Sequence, residues 1–318
     1  MIINSLKGKI IKGVGGLYTV TVIDEQSEYF RQSVKCRARG IFRHNHLTPL
    51  PGDTVLMSYE DAQGENSDGG KFVIDEIIDR KNSLIRPPLA NLDYLFVTMA
   101  CASPTPVLST VDKLICIAEH NKIEPVIVIT KCELDEQKAS ELETLYRSCG
   151  FECFKLSAKD DIGVEPIDDF IKEKMAGKTA AFAGASGIGK STLLNRLFPH
   201  LELSTSDISK KIERGRHTTR EAVLFAISDA ADCGYIADTP GFSMLDFKRF
   251  DFFEKDDLVH TMREFAPLIG SCRYAKCSHT KEQGCAIVEA VKNGTIPKSR
   301  HESYVELFDI LKTRKKWE

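Results

Sequence analysis

The stretch "TAAFAGASGIGKSTLLNRLF", residues 179–198, decides the class of fold. An apolar segment leads into a glycine-rich turn that fits the pattern G-x-x-x-x-G-K-[ST], and a helix-forming segment follows. This order of strand, loop and helix brings backbone N–H groups and a favourable helix dipole to phosphate oxygens. A glycine-rich turn without that role would not account for the Lys-Ser pair or its flanking strand and helix. We therefore predict a phosphate-binding loop made of Gly184, Ala185, Ser186, Gly187, Ile188, Gly189, Lys190, Ser191 and Thr192.

The pattern of residues 235–242, "YIADTPGF", predicts an apolar strand that ends at Asp238. An aspartate at this point can hold the hydration shell of Mg²⁺, while Ser191 binds the ion and Lys190 reaches the β- and γ-phosphates. D-T-P-G is also a common form of the GTPase element whose glycine, here Gly241, contacts the γ-phosphate. The alternative is a strand that ends in a simple Pro-Gly turn, and the phosphate loop upstream argues against it.

The segment "ERGRHTTR", residues 213–220, lies between these two motifs and reads as a polar loop. Its threonines suit a switch in which a hydroxyl completes the coordination of Mg²⁺ when the γ-phosphate is present. We expect Thr219 to be that ligand, with Thr218 as the alternative. The expected magnesium set is therefore Ser191, Thr219 and Asp238.

Two earlier segments are suited to reading a base. "ITKCELD", residues 129–135, follows an apolar strand and is similar to the N-K-x-D element of GTPases, with Thr130 for Asn and Glu133 for Asp. A carboxylate there accepts hydrogen bonds from guanine N1–H and the 2-amino group, which adenine cannot supply, so such a site rejects ATP. "LSAKD", residues 156–160, follows the next strand and resembles the S-A-K element whose backbone contacts the guanine oxygen. The predicted base site comprises Thr130, Lys131, Cys132, Glu133, Ser157, Ala158 and Lys159.

The amide that Thr130 replaces usually braces the loop, so we expect one contact of about 0.5–1.5 kcal/mol to be lost. Lys131 is expected to cover the base with its aliphatic stem. Glu133 is one methylene longer than aspartate. Guanine preference should persist, with a modest affinity.

The hydrophobic pattern divides the chain into three regions. Residues 1–85 alternate apolar and polar positions between Gly, Pro and Asp turns, which predicts a small β-barrel of the OB-fold type. Residues 86–244 alternate short apolar strands with amphipathic segments, which predicts an α/β domain with a mainly parallel sheet. Within it, the "AVLFAI" strand could be an antiparallel edge. Residues 245–318 are predicted to be mainly helical and to contain a Cys/His cluster.

The composition limits the possible functions. With 318 residues, 42% hydrophobic and 28% charged, the chain resembles a soluble globular protein of two or three domains. No apolar run reaches the roughly 18 residues of a membrane span, and the N-terminus has no signal-peptide pattern. We expect a cytoplasmic, monomeric protein that does not contact membranes. Because the net charge is −3, contact with nucleic acid would depend on local basic patches.

The segment "CRYAKCSHTKEQGC", residues 272–285, predicts a metal centre. Three thiolates and one imidazole form a closed tetrahedral set for one structural Zn²⁺, which would help to fold a segment too small for a strong core. The alternative is chance clustering of buried thiols, but the intervening Lys and Glu residues are not those of a core. The predicted ligands are Cys272, Cys277, His279 and Cys285.

Residues 31–46, "RQSVKCRARGIFRHNH", contain five basic residues and no acidic one. In a strand, Lys35, Arg37 and Arg39 share one face, and OB-folds bind nucleic acid with such a face and nearby aromatic side chains. The alternative is a solvated basic face. The candidates for RNA binding are Lys35, Arg37, Arg39 and Arg43, with Tyr29, Phe30 and Phe42 as candidate stacking residues.

The order of the motifs carries a resemblance. The base-reading elements precede the phosphate loop, "RGRHTTR" and "DTPGF", which is a circular permutation of the usual GTPase order. The chain is similar, over essentially its whole length, to the RsgA (YjeQ/YloQ) family of circularly permuted bacterial GTPases. That resemblance implies an OB-fold, a permuted GTPase domain and a zinc domain, with GTP and Mg²⁺ bound. It also implies a role with the small ribosomal subunit and its rRNA.

The resemblance bears on catalysis as well. In many GTPases a Gln follows D-x-x-G and orients the attacking water, but this position is Phe242, which cannot do so. The family assigns that role to the histidine of G-R-H-T-T, here His217, and this makes His217, Lys190 and Thr219 the expected catalytic residues. A loop contact with phosphate or RNA is the alternative for His217. The rival functions are a P-loop ATPase or kinase with a structural zinc, and an RNA-binding module that uses nucleotide only structurally.

Overall fold

The protein is described by a computed structural model over residues 5–44, 47–60, 71–201, 222–228, 230, 233–238 and 253–313. The chain divides into two compact units that alternate along the sequence. The first comprises Met1–Asp93, Lys174–Ala181 and Lys210–Gly241, and the second Tyr94–Glu173, Phe182–Ser209 and Phe242–Glu318. Our domain boundaries at residues 85/86 and 244/245 therefore stay predictions.

A closed five-stranded barrel forms most of the first unit, in the strand order β1-β2-β3-β5-β4. Its strands are β1 (Leu6–Val14), β2 (Leu17–Val22), β3 (Ser33–Ala38), β4 (Thr54–Glu60) and β5 (Lys71–Ile77), with a short helix α1 (Ile41–His44) after β3. The pairings are antiparallel except for β3 with β5. This closed barrel agrees with the OB-type fold that the alternating sequence predicts.

The core of the barrel explains why the alternation matters. Alternate inward positions such as Ile10, Val20 and Met57 are fully buried, so each strand contributes one apolar face. Gly8 allows two strands to approach closely, because a Cβ atom there would lie 2.4 Å from Cγ1 of Val20. A two-stranded ribbon of β6 (Ser83–Leu84) and β7 (Leu89–Ala90) follows the barrel.

The first unit also contains part of an α/β sheet. Thr179–Ala181, the start of strand β11 (Thr179–Ala183), pairs in parallel with β13 (Tyr235–Asp238). Strand β12 (Val223–Ala226) pairs antiparallel with β13 and ends the order β11-β13-β12. The "AVLFAI" segment is therefore an antiparallel edge strand, and that prediction is confirmed.

The second unit contains strands in the order β10-β9-β8-β11. Strands β8 (Tyr94–Ala100), β9 (Glu124–Thr130) and β10 (Glu152–Lys155) are parallel. They alternate with the helices α2 (Leu108–His120), α3 (Glu136–Ser148), α4 (Glu165–Lys174) and α5 (Lys190–Leu197). Phe96 of β8 stacks on Phe182 of β11 at 4.5 Å between ring centroids, which anchors the start of the phosphate loop to this sheet.

The C-terminal segment belongs to the same unit as β8–β10. It comprises 3-10 helices at Lys255–Thr261 and Arg263–Leu268, and the helices α6 (Ala286–Lys292) and α7 (Lys298–Thr313). Arg300 of α7 is completely buried, with Nη1 2.5 Å from Oδ1 of Asp112 in α2 and Nε 2.7 Å from Oε1 of Glu264. This buried cluster of three charged side chains, the buried ion triad, connects α7 to α2. Among the described helices, none has both the length and the apolar character needed to cross a membrane.

Candidate nucleotide site and metal centre

The segment predicted to bind phosphate has the expected local fold of strand β11, turn and helix α5. Gly184 has a φ of +153°, and a Cβ atom there would lie 2.2 Å from the carbonyl oxygen of Thr98, so the close approach of the turn to β8 requires glycine. Gly189 has a φ of +92° and precedes the first residue of α5. Nζ of Lys190 donates to the carbonyl oxygen of Gly184 at 3.2 Å, so its ammonium group lies over the turn.

The turn presents one face to solvent. Ile188 is buried and anchors the turn, while Ala185, Ser186 and Gly187 are exposed. Ser191 is half-buried at the start of α5 and Thr192 is exposed. An exposed run of backbone next to a helix N-terminus is an arrangement that can receive phosphate groups.

Thr130 joins the base-reading loop to the phosphate loop. It is 2% exposed at the end of β9, and its Oγ1 lies 2.5 Å from the carbonyl oxygen of Ile188 and 3.1 Å from that of Met99. The hydroxyl has a single proton, so it donates to one of these carbonyls at a time. The hydroxyl thus contacts the phosphate loop directly, and the expected cost of the replaced amide stays a prediction.

Lys131 makes a second connection. Its φ of +59° turns the chain sharply after β9, and its Nζ donates to the carbonyl oxygens of Ser103 at 2.5 Å and Gly187 at 2.7 Å. The thiol of Cys101 donates to the Lys131 carbonyl at 3.0 Å. These contacts hold the lysine stem across the space between the two loops, as covering a base requires.

Two acidic residues of this loop, Glu133 and Asp135, have different surroundings. Glu133 is exposed in the short 3-10 helix Cys132–Leu134, whereas Asp135 caps α3 by accepting a hydrogen bond from the backbone N–H of Lys138 at 2.9 Å. Asp135 is thus engaged in the protein and Glu133 is left facing solvent. Cys132 is buried, and burial raises the pKa of its thiol, so it acts as a packing residue within the loop.

The second base-reading loop, residues 157–162, is a compact turn. The backbone groups of Ser157 and Ile162 exchange hydrogen bonds of 2.8 and 3.0 Å, and Oγ of Ser157 accepts from the N–H of Asp160 at 3.2 Å. Ser157 is fully buried, Ala158 is half-buried and Lys159 is exposed. The turn therefore presents its Ala158–Lys159 side outward.

The switch segments are only partly described. His217, Thr218, Thr219, Gly241 and Phe242 lie outside the described residues. Asp238 is the last residue of β13, and only its backbone is described. The roles predicted for these residues stay predictions.

The four predicted metal ligands come together. Their donor atoms all lie within 4.8 Å of one another. Sγ of Cys272 lies 3.7 Å from Sγ of Cys285, and Nδ1 of His279 lies 3.4 and 3.5 Å from these two sulfurs. A tetrahedral Zn²⁺ with its usual bond lengths needs edges of about 3.8 Å between sulfurs and about 3.6 Å from sulfur to nitrogen. Cys272, Cys277, His279 and Cys285 therefore fit one metal ion.

Neighbouring groups orient the metal-binding loop. Nε2–H of His301 donates to the His279 carbonyl at 2.7 Å, and the Tyr304 hydroxyl donates to the Ser278 carbonyl at 2.9 Å. Glu282 accepts from the Ser278 N–H at 2.7 Å and from two further backbone N–H groups. Burial alone would raise the pKa of Glu282, but hydrogen bonds from the Ser278 hydroxyl and from backbone N–H groups outweigh it and lower the pKa to about 2. The loop is thus held by helix α7 from one side and by its own carboxylate from the other.

Comparison with known proteins agrees with this geometry. A family model described as RsgA GTPase matches residues 77–248, and one described as RsgA N-terminal domain matches residues 7–65. The chain belongs to the RsgA GTPase family. The small ribosomal subunit biogenesis GTPase RsgA of Alkaliphilus metalliredigens is 38% identical over 312 residues, which cover 98% of this chain and 99% of that protein. The relative of the same name from Bacillus subtilis is 38% identical, with coverages of 97% and 98%.

Solved structures of RsgA relatives share the fold. YjeQ from Thermotoga maritima is 32% identical, with a TM-score of 0.76 over 98% of this chain and 100% of that chain. YloQ, described as a circularly permuted GTPase, is 32% identical, with a TM-score of 0.74 over 98% and 96% of the two chains. The predicted fold class is therefore confirmed, and membership of a GTPase family implies GTP with Mg²⁺.

The basic strand of the barrel differs from the simple face that the sequence predicts for this RsgA-family chain. Lys35 and Arg37 are exposed on β3, and Nζ of Lys35 donates to Oγ1 of Thr19 at 2.8 Å. Arg39 is engaged by two carboxylates, with Nε 2.5 Å from Oδ1 of Asp75 and Nη2 3.1 Å from Oε1 of Glu60. Arg39 is therefore partly neutralised within the barrel, which sequence alternation could not reveal.

The other RNA-binding candidates have different surroundings. Phe42 is 7% exposed and belongs to the core of the barrel, so its interpretation as a stacking residue is wrong. Tyr29 and Phe30 are half-buried, and the ring of Tyr29 meets that of Phe72 edge-on at 5.3 Å. Arg43 lies in α1, and its side chain is outside the described residues.

Proposed function

We propose that this chain hydrolyses GTP to GDP and phosphate, that the small ribosomal subunit accelerates the reaction, and that the protein acts in the cytoplasm late in the maturation of that subunit. The observation that carries the nucleotide part is the joining of the base-reading loop to the phosphate loop, through Thr130 to Ile188 and through Lys131 to Gly187. Family membership supports the ribosomal part, since relatives along the whole chain are named small ribosomal subunit biogenesis GTPases.

The phosphate chemistry follows from the residue types. Lys190 would neutralise charge on the β- and γ-phosphates, and Ser191 would bind Mg²⁺ together with Thr219 and Asp238. Bound Mg²⁺ stabilises the negative charge that develops during phosphoryl transfer. The Gly241 amide would contact the γ-phosphate and so make the switch segments sensitive to hydrolysis.

Guanine recognition would involve both base-reading loops. The Glu133 carboxylate would accept from N1–H and the 2-amino group, and the backbone N–H of Ala158 would donate to the carbonyl oxygen O6 of guanine. Competition for a fluorescent GDP analogue tests this: GDP should displace it at concentrations at least a hundredfold below ADP. Equal displacement by ADP and GDP would remove the base site from the proposal and favour a P-loop ATPase or kinase.

His217 is proposed to orient the attacking water, because Phe242 cannot. A His217→Ala variant should bind GTP with nearly unchanged affinity while losing about a hundredfold of its subunit-stimulated turnover. Turnover is measured with small subunits, with large subunits and without ribosomes. Unchanged stimulated turnover would remove His217 from the mechanism, and a wild-type protein without turnover in any mixture would favour an RNA-binding module.

The metal centre and the barrel would serve structure and docking. Zn²⁺ at the Cys272, Cys277, His279 and Cys285 cluster would have no open coordination position, so its role would be structural. On the barrel, Lys35 and Arg37 remain the stronger candidates for contact with rRNA, because Arg39 is already paired with two carboxylates. Neutralising Lys35 and Arg37 together should lower affinity for the small subunit and reduce its salt dependence.

A further inference from the structure

Helix α5 and the second base-reading loop are joined by a bidentate ion pair. Nε of Arg196 lies 2.8 Å from Oδ1 of Asp161, and its Nη2 lies 2.9 Å from Oδ2. Arg196 is on the helix that Lys190 begins, and Asp161 is within the turn of residues 157–162. Two parallel hydrogen bonds fix both the distance and the orientation of the partners, which a single lysine contact would not.

The turn transmits the position of Asp161 to the rest of the loop. Asp161 has a φ of +59°, a conformation that few residues other than Gly, Asn and Asp adopt readily. Ser157 and Ile162 close the turn with two backbone hydrogen bonds, and Ser157 also accepts from the N–H of Asp160. Because these hydrogen bonds connect the turn, a displacement of Asp161 should shift the whole turn, including Ala158.

We propose that Arg196 and Asp161 are a positioning pair that holds the guanine-oxygen contact of Ala158 at a set distance from the phosphate loop. This inference rests on the proposed function, in which the Ala158 backbone donates to the oxygen of the base. Thr130 and Lys131 connect the first base-reading loop to the phosphate loop, and Arg196 with Asp161 connects the second one to the phosphate-loop helix. Both halves of the base site are then tied to the phosphate site.

The chemistry of three nucleotides separates this role from general stability. GDP and IDP share the carbonyl oxygen on carbon 6 of the base, whereas ADP has an amino group there. IDP lacks only the 2-amino group, which Glu133 would read. Loosening the turn should therefore lower the affinities for GDP and IDP by the same factor. The affinity for ADP should stay unchanged, since ADP makes no favourable contact with the Ala158 N–H.

The experiment measures displacement of a fluorescent GDP analogue by GDP, IDP and ADP on the full chain. Arg196→Gln and Asp161→Asn should each weaken GDP and IDP about two- to fivefold, because an exposed ion pair has a modest strength. Asn keeps the left-handed backbone of Asp161 acceptable. The double variant should be no weaker than either single variant, since both remove the same contact.

Two further variants serve as controls. Arg196→Lys keeps the charge and loses the bidentate geometry, so it should recover only part of the affinity. Lys172→Gln removes a comparable exposed pair, that of Lys172 with Asp168 at 2.7 Å on α4, and should bind all three nucleotides as the wild type does.

Two outcomes would overturn the inference. If Arg196→Gln leaves GDP and IDP affinity unchanged, or weakens ADP by the same factor, the pair does not position the guanine contact. If the wild type itself does not distinguish GDP from ADP, the proposed base site fails first and this inference fails with it. The wild-type measurement thus separates the failure of the proposed function from that of the positioning pair.

Discussion

The nucleotide loops and the metal-binding loop are both irregular segments of the second unit, yet they are held in different ways. The nucleotide loops are connected by protein groups alone, with Thr130 and Lys131 contacting carbonyls of the phosphate loop. The metal-binding loop places the donor atoms of three cysteines and His279 within 4.8 Å of one another, where they could ligate one ion. The nucleotide loops are thus tied to each other by contacts between protein groups, whereas the four side chains of the metal-binding loop could share one metal ion.

Metal removal should therefore produce the largest effect, and an unequal one. A chelator, or the Cys285→Ser variant, should expose amides of α6 and α7 to hydrogen exchange, because structural zinc contributes about 10 kcal/mol or more in small zinc-binding peptides. Amides of β8 and β9 should keep their protection. Cys233→Ser, outside the metal cluster, is the matched control and should retain metal and protection. If the amides of α6 and α7 keep full protection from hydrogen exchange after metal removal, the metal-binding loop does not depend on its ion and its contrast with the nucleotide loops is wrong.

Breaking the buried ion triad should have the next largest effect. Arg300→Met would leave Asp112 and Glu264 buried without their partner, at a cost of about 3–5 kcal/mol in the free energy of unfolding. Chemical denaturation measures this cost. Lys298→Met on the same helix is the control, since its pair with Glu302 is exposed and should contribute less than about 0.5 kcal/mol. A cost for Arg300→Met as small as that of the control would mean that α7 is fastened by other contacts.

The Thr130 contact offers the smallest and most specific test. Thr130→Val removes the hydroxyl and its buried hydrogen bond to the Ile188 carbonyl, so it should cost about 1 kcal/mol in the free energy of unfolding. It should also weaken GDP binding, because the phosphate loop loses one of its two connections to the first base-reading loop. Thr130→Ser keeps the hydroxyl and should bind GDP like the wild type in a calorimetric titration. Wild-type affinity in the Val variant would show that the two loops are held together without this hydroxyl.

The motifs were predictable because each is local. Gly184, Gly189 and Lys190 lie within one turn, where backbone conformation and the start of a helix depend on neighbouring residues. Cys272, Cys277, His279 and Cys285 lie within one short segment, so their spacing alone indicates that they can meet. The barrel and the parallel strands could be predicted from hydrophobic alternation, since one face of each strand must be buried.

Other features were not predictable, because they join distant segments. The partner of Arg300 is Asp112, and that of Arg196 is Asp161; no periodicity relates either pair. Phe42 shows the same limit of sequence-based prediction. Its basic neighbours in the sequence indicate an aromatic side chain on the surface, but Phe42 is buried in the closed barrel.

By itself, then, the sequence indicated the phosphate-loop motif, the order of the base-reading elements and four side chains that could hold a metal ion. Backbone propensity and ligand spacing depend on a few neighbouring residues, so both can be recognised in the sequence without knowledge of the fold. Only the tertiary structure decided that Thr130 contacts the phosphate loop, that Arg39 is paired with acidic residues and that Arg300 joins α7 to α2. Such contacts form between groups that chain folding brings together, so their strength depends on burial and geometry rather than on position in the sequence.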